Sequence, residues 1–273
     1  MDKKMKVQSI ITTFVALIIV GTAAIYWWGK TLDTPGQKNY TSDTMEKVSY
    51  LIDRIETQEG FNWRKIVGNY LPGTNDRAVI LLHMMPATKE SWNEFASKLN
   101  EAGYHVLAID LWGHGESNEY KIDDVGQVQY VDYRNFTDEQ HQKSIADVEG
   151  ARQFLVGKGI SPENIIIGGA SIGANLALQY LSMYPEAPAA FLLSPGLDYR
   201  GIKTDAFMPL IGDNQKVLLV AAEDDAYSFT TVGTLKIIGD VAKTVETYNK
   251  GGHATDLFNS HPELMDDIIM WLK

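Results

Sequence analysis

Residues 168–177 read GGASIGANLA, with Ser171 between Gly169 and Gly173. The spacing G-x-S-x-G suits a sharp turn from a strand into a helix, with the serine hydroxyl at its apex. The context agrees: the apolar run NIIIG precedes the motif and the helix-like IGANLALQYLSMY follows it. A serine so placed is a candidate nucleophile for acyl transfer. Alone it is a weak one, because it needs a base within hydrogen-bond reach and a carboxylate to orient that base.

Both residue types follow Ser171 in the chain. Carboxylates cluster after the strand-like VLLVAAE (217–223), at Glu223, Asp224 and Asp225, and Asp198 follows the preceding strand-like run. His253 stands in GGHAT, after the strand-like KTVETYN (243–249), and Gly251 and Gly252 let the loop turn back. His261 competes from a helix-like stretch just before Pro262, while His105 and His141 fit no such pattern.

The elements that must position these residues are readable as alternating runs. AVILLH (78–83), HVLAID (105–110), NIIIGGA (164–170), AAFLLS (189–194) and VLLVAAE are apolar without alternation, as in strands buried on both faces. Between them lie helix-like stretches at 89–103, 138–159 and 172–184, and a last one at 255–272 that Pro262 divides. Residues 54–73 suggest an antiparallel pair at the sheet edge. The alternation predicts an α/β fold with a mostly parallel sheet. The short interval between AAFLLS and VLLVAAE leaves no space for a large lid. The aromatic stretch 118–140, with Tyr120, Tyr130, Tyr133 and Phe136, is a candidate flank for the site opening.

With these motifs in view, the chain resembles the α/β-hydrolase superfamily, in its dienelactone hydrolase-like or serine esterase/lipase-like group. LLHMMPATKESW (81–92), LAIDLWGHGES (107–117), GGASIGAN (168–175), LLVAAEDDAYS (218–228) and NKGGHATDLF (249–258) carry the resemblance, which runs from about residue 54 to the end. It implies an α/β-hydrolase fold and a serine hydrolase that cleaves an ester or related acyl bond through an acyl-enzyme. Ser171 takes the nucleophile position. Asp225 takes the acid position, three residues after the small Ala222, with Asp224 the neighbouring alternative. His253 takes the base position. Two backbone N–H groups would form the oxyanion hole, those of Ile172 and Met85. Many relatives read His-Gly-x where this chain has His83-Met84-Met85, so the missing glycine is a departure. His83 and the turn DLWGHGES read as loop organisers. The substrate would be a small acyl compound and no cofactor is implied. A peptidase, thioesterase or acyltransferase would use the same triad, and a non-catalytic binding module would keep the same fold.

Composition narrows the partners. Residues 30–273 hold 21 of the 24 basic and 34 of the 35 acidic side chains, a net charge of −13. An acidic domain is a poor nucleic-acid binder. There is no cysteine, so disulfides, thiolate catalysis and cysteine metal sites are excluded. No metal-binding motif is present, and GGASIGAN lacks the lysine of a phosphate loop. Residues 7–29 carry no charge and follow Lys3, Lys4 and Lys6. This pattern predicts a cytoplasmic terminus (1–6), a transmembrane signal-anchor (7–28), a linker (29–44) and an extracytoplasmic hydrolase domain (45–273). A signal peptide cleaved near Gly21–Ala24 is the alternative, giving a secreted protein.

Overall fold

Apolar runs bounded by turn residues become strands, and in the computed structural model they lie within one residue of the expected limits. The structure describes residues 45–57, 60–122 and 127–273, all within the compact unit Tyr40–Lys273. The expected anchor and linker lie outside the described residues, among which no helix is long and apolar enough to cross a membrane.

The strands are β1 (Glu46–Thr57), β2 (Gly60–Leu71), β3 (Ala78–Leu82), β4 (His105–Ile109), β5 (Glu119–Ile122), β6 (Gln129–Tyr130), β7 (Ile165–Ala170), β8 (Ala189–Leu193), β9 (Asp198–Tyr199), β10 (Ile202–Lys203), β11 (Lys216–Ala222) and β12 (Ala242–Tyr248). Ten of them form one sheet in the order β12-β11-β8-β7-β3-β4-β2-β5-β6, with β1 paired to β2 outside that path. Pairing is parallel from β12 through β4. It is antiparallel where β2 meets β1, β4 and β5. β9 and β10 form a separate two-stranded ribbon.

The antiparallel pair expected within 54–73 starts earlier, at Glu46. The cause is an alternation in the sequence: Val48, Tyr50 and Ile52 pack on the core while Lys47, Ser49 and Leu51 face solvent. Period-two patterning of this kind makes a half-buried strand. β2 is not itself at the edge, since β4 and β5 flank it on one side and β1 on the other.

The helices are α1 (Asn93–Glu101), α2 (Asp138–Gln142), α3 (Ile145–Gly157), α4 (Ile172–Met183), α5 (Thr204–Phe207), α6 (Ala226–Leu235), α7 (Leu257–Ser260) and α8 (Glu263–Leu272). One sheet face is covered by side chains of α3, α4 and α6, including Val148, Leu155, Leu176 and Val232. The other is covered from α1 and α8, with Phe95, Leu99, Leu264 and Ile268. Two departures from the sequence reading have local causes. The single helix expected over 138–159 breaks between α2 and α3, where hydrogen bonds tighten to three-residue spacing and the Lys143 carbonyl accepts the buried Arg64 guanidinium at 2.7 Å. Pro262 divides the last stretch into α7 and α8, as its missing N–H dictates.

A buried ion pair fixes the loops that follow β3 and β4. Lys89 Nζ lies 2.8 Å from Asp110 Oδ2 and 3.0 Å from Glu116 Oε2. The same Asp110 carboxylate accepts the backbone N–H groups of Lys89 and Glu116, at 2.8 and 2.9 Å. Burial opposes the charge on Lys89, but the carboxylates of Asp110, Glu90 and Glu116 outweigh it and push the ammonium pKa up. The motif DLWGHGES is therefore structural in its aspartate, as the sequence suggested. Replacing Asp110 by alanine is expected to destabilise the fold by about 3 kcal/mol or more, because it takes the buried carboxylate from Lys89 and leaves two backbone N–H groups without their acceptor. Adding Lys89→Met to Asp110→Leu should recover only part of that loss, since two N–H groups stay unpaired. Urea unfolding of the two variants checks both statements.

Candidate active site

β7 ends where its chain must reverse, and it does so at Ser171. That residue has φ 56° and ψ −119°, a backbone region that L-residues avoid. Strain of this kind costs on the order of 1–3 kcal/mol. The neighbours show why the flanking residues are glycines. A methyl on Gly169 would overlap the Gly173 carbonyl, and one on Gly173 would overlap the Leu82 carbonyl at the end of β3. The Ser171 N–H donates to the Leu193 carbonyl at 2.9 Å, which ties the turn to β8. Ser171 itself is 7% exposed.

The N-terminus of α4 begins at Ile172, where backbone N–H groups lack intrahelical acceptors. The loop after β3 packs beside it, since Gly173 also abuts the His83 carbonyl. Ile172 and Met85 thus stand on two segments that border Ser171. His83 organises that loop. Its Nε2 accepts the Leu111 N–H at 3.0 Å, so its Nδ1–H donates to the Met84 carbonyl at 2.9 Å. Burial lowers its pKa to about 4, which keeps the ring neutral and unsuited to act as a base for Ser171.

The two adjacent aspartates after β11 have separate tasks. Asp224 accepts the Gly251 N–H at 3.1 Å and the Gly252 N–H at 3.2 Å, holding the loop that carries His253. Asp225 contacts the imidazole itself, with His253 Nδ1 2.6 Å from Oδ2. Because an ionised carboxylate only accepts, Nδ1 carries the proton and Nε2 keeps its lone pair. Burial raises the Asp225 pKa, but the His253 imidazole, with the hydroxyls of Ser228 and Ser194 nearby, outweighs it and holds the carboxyl below its ordinary range. Glu223 is exposed, and Asp198 accepts the Gly201 N–H at 2.7 Å within its own turn.

The remaining histidines are engaged elsewhere. His261 binds the Lys250 carbonyl through Nε2 at 2.6 Å and stacks on Tyr248 at 3.9 Å. His105 sits at the start of β4 with Nδ1 2.7 Å from the Tyr70 hydroxyl, at the sheet end opposite Ser171. His141 meets Phe136 edge-on. Of the aromatic residues in 118–140, Tyr133 stacks on His114 at 3.8 Å and Phe136 packs on Trp112 at 4.6 Å. His114 in turn lies 4.8 Å from His83, so these two aromatics buttress the loops beside the serine. Tyr120 and Tyr130 belong to β5 and β6, at the far end of the sheet order.

Three site residues escaped the sequence reading. Ser194 Oγ accepts the Ala254 N–H at 2.8 Å, which fixes the residue after His253. Ser228 stands three residues after Asp225 in the first turn of α6, a cap-like spacing that was readable. Tyr199, on β9, reaches the site from a ribbon too short to leave a pattern.

A mostly parallel sheet covered by helices on both faces, with a serine at the tight turn after its central strand, is the architecture of the α/β hydrolases. The profile of the family described as serine aminopeptidase, S33 matches residues 73–220, and the chain belongs to that family of α/β hydrolases. The match includes Ser171 and ends before Asp225 and His253. Lipase 1 from Psychrobacter immobilis is 27% identical over 151 residues, which cover 55% of this chain and 41% of the lipase. The matched part therefore spans less than half of that lipase's length. Among solved structures, an esterase from Pyrococcus furiosus superposes with a TM-score of 0.59 at 17% identity, over 88% of this chain and 98% of that one. An esterase from Exiguobacterium antarcticum gives 0.58 at 13% identity, over 77% and 96%. A dienelactone hydrolase from Anabaena variabilis gives 0.58 at 17% identity, over 83% and 94%.

Ser194→Ala leaves the buried Ala254 N–H without an acceptor. A loss of about 1–3 kcal/mol in unfolding free energy is expected, the desolvation cost of one orphaned group. Unchanged urea midpoints would show that the Ala254 N–H does not depend on this hydroxyl.

Proposed function

We propose that the protein hydrolyses an ester or related acyl bond with Ser171 as nucleophile, His253 as base and Asp225 as the orienting acid. The observation that carries this reading is the 2.6 Å contact between His253 Nδ1 and Asp225, made by the loop that the neighbouring Asp224 anchors. It leaves Nε2 as the free basic atom of a histidine that is neither buried nor tied up elsewhere. The strained turn at Ser171 supports the same reading, because strain of this type concentrates where a side chain must be presented.

In this scheme Nε2 takes the Ser171 proton as Oγ forms a bond to the acyl carbon. The carbonyl oxygen gains charge and is met by the Ile172 and Met85 N–H groups. Collapse expels the alcohol, which takes the proton from His253. Water then repeats the sequence, giving its proton to Nε2 and its oxygen to the acyl group, and Ser171 leaves with that proton. No step calls for a cofactor. Met85 offers a main-chain donor, so the glycine missing at Met84 does not remove it.

The reading is tested by treating the full-length chain, in detergent, with a fluorophosphonate and mapping the adduct by mass spectrometry. Adduct on Ser171 is expected, absent in Ser171→Ala and at least about 100-fold slower in His253→Ala, the scale of general-base catalysis. A folded protein that forms no adduct would favour a binding module that keeps the hydrolase fold. A panel of p-nitrophenyl esters, a thioester and aminoacyl amides then separates esterase from thioesterase and peptidase.

We also propose a membrane tether through residues 7–28, with the catalytic domain outside the cytoplasm. Its support is the charge-free run that follows three lysines and ends in Tyr26, Trp27 and Trp28. The full chain expressed in bacteria should stay in the membrane pellet after alkaline carbonate washing and keep its N-terminal peptide. Recovery from the medium without residues up to Ala24 would establish the cleaved-signal alternative.

A further inference from the structure

The loop that carries His253 is held from two sides at one peptide unit. Asp224 takes the N–H of the Lys250–Gly251 peptide at 3.1 Å. The carbonyl of the same peptide, that of Lys250, lies 2.6 Å from Nε2 of His261. His261 stands at the joint between α7 and α8, and its own N–H donates to the Leu257 carbonyl at 2.7 Å.

The ring has little freedom of its own. It stacks on Tyr248 at 3.9 Å, with 26° between the planes. Its Cδ2 lies against the backbone of Gly251, where a Cβ would come within 3.3 Å. Nδ1 is 3.1 Å from the Glu263 carboxylate at the start of α8.

Proton counting fixes the charge of this ring. A carbonyl oxygen and an ionised carboxylate only accept, so Nε2 must donate to Lys250 and Nδ1 to Glu263. A ring that donates from both nitrogens is an imidazolium. Its surroundings favour that charge. Glu263 on α8 and Asp224 after β11 act on the ring itself. Asp267, one turn further along α8, and Glu246 on β12 act on Tyr248 beneath it, and Glu246 accepts the Tyr248 hydroxyl at 2.7 Å. Lys250 is the cation of the loop. The pKa of His261 is raised above its ordinary value, first by the Lys250 carbonyl and then by Glu263 and Asp224, against a lowering by burial.

A neutral ring cannot serve both partners. With one proton, either Nδ1 turns a lone pair to Glu263 or Nε2 turns one to the Lys250 carbonyl. The hold on the loop weakens in both tautomers, because a hydrogen bond from a charged donor is roughly twice as strong as one from a neutral donor. The sign follows from the raised pKa. The hold is complete below the ordinary imidazole value and is lost as pH rises through the raised one.

We propose that His261 is a positioning residue for the reaction: its imidazolium grips the Lys250 carbonyl opposite Asp224, fixes the Lys250–Gly251 peptide and thereby sets how His253 meets Ser171, and loss of the ring proton loosens that grip. This rests on the reading of Ser171 as nucleophile and His253 as base. The two histidines then need opposite protonation states. His253 accepts the serine proton only when neutral, and His261 holds the loop best when charged.

The test follows the fluorophosphonate labelling rate of Ser171 against pH in the full-length chain in detergent, beside His261→Gln, His261→Phe and Glu263→Gln. The unmodified chain should label faster as His253 becomes neutral, reach a maximum, and slow about two- to tenfold on the alkaline side, the factor that one hydrogen bond is worth. His261→Gln keeps a donor for Lys250 and cannot titrate, so the alkaline fall should vanish with the rate near the maximum. His261→Phe keeps the ring on Tyr248 without a donor, and should label about two- to tenfold more slowly than His261→Gln at every pH. Glu263 is exposed, so Glu263→Gln leaves the fold intact and should move the alkaline fall to lower pH. A residue that served stability alone would lower the urea midpoints of its variants and leave the shapes of these profiles unchanged. A rate that stays level at alkaline pH in the unmodified chain overturns the proposal, and so does an alkaline fall that neither His261→Gln nor Glu263→Gln alters. Failure of the unmodified chain to label at Ser171 removes the nucleophile reading instead, and the role of His261 with it.

Discussion

One constraint governs the rest of the structure: Ser171 must leave β7 and enter α4 in a backbone conformation that a side chain resists. Strain of about 1–3 kcal/mol at that point needs surroundings that over-determine it. They are present. Ile165, Ile166 and Ile167 of β7 are fully buried, each contributing on the order of 1.5–3 kcal/mol. Nearly all of α4 is buried as well. Gly169 and Gly173 let strand and helix approach until no methyl fits between them. The strained turn is thus the price of a close contact between two well-anchored elements.

The same economy of space organises the loops around it. Segments after β3, β4, β8, β11 and β12 all emerge at the carboxyl end of the parallel strands, where an open α/β sheet gathers its functional side chains. Each loop is held by a polar group with a defined partner. Asp110 holds the loops after β3 and β4 through Lys89 and backbone N–H groups. Asp224 holds the loop after β12, and Ser194 holds Ala254. Buried polar groups are tolerated only when paired, and here the pairing sets loop geometry. Asp224 and Asp225 differ by one position and by almost everything else: one faces backbone amides, the other an imidazole.

Histidine chemistry shows how environment sorts identical side chains. His83 and His114 are buried and their pKa values fall to about 4 and about 3, so both serve as neutral hydrogen-bonding and packing groups. His261 is raised above its ordinary value, chiefly by its hydrogen bond to the Lys250 carbonyl. His253 and His261 both set a carboxylate against Nδ1 while partly exposed, but the Nε2 of His261 is taken by the Lys250 carbonyl. Position along the chain made His253 a candidate; its surroundings distinguish it from the other five.

The sequence by itself determined the parallel sheet, because strands buried on both faces must be continuously apolar and these runs are. It determined the turn at Ser171, because only glycine permits that approach, and the chain order of Ser171, Asp225 and His253. It also carried the alternation of β1 and the three-residue spacing of Ser228 from Asp225, both readable by eye. Tertiary structure decided which of two neighbouring aspartates meets the imidazole, since adjacent residues point apart by an amount no spacing encodes. It decided that the stretch 138–159 breaks, because the buried Arg64 takes a carbonyl from a distant part of the chain. It set Ser194, at the end of a legible strand, against the Ala254 N–H, and it brought Tyr199 to the site from a ribbon too short to leave a pattern. Periodicity reports which face of an element is buried; the partner of a single polar atom depends on where two remote segments meet, and only the folded chain settles that.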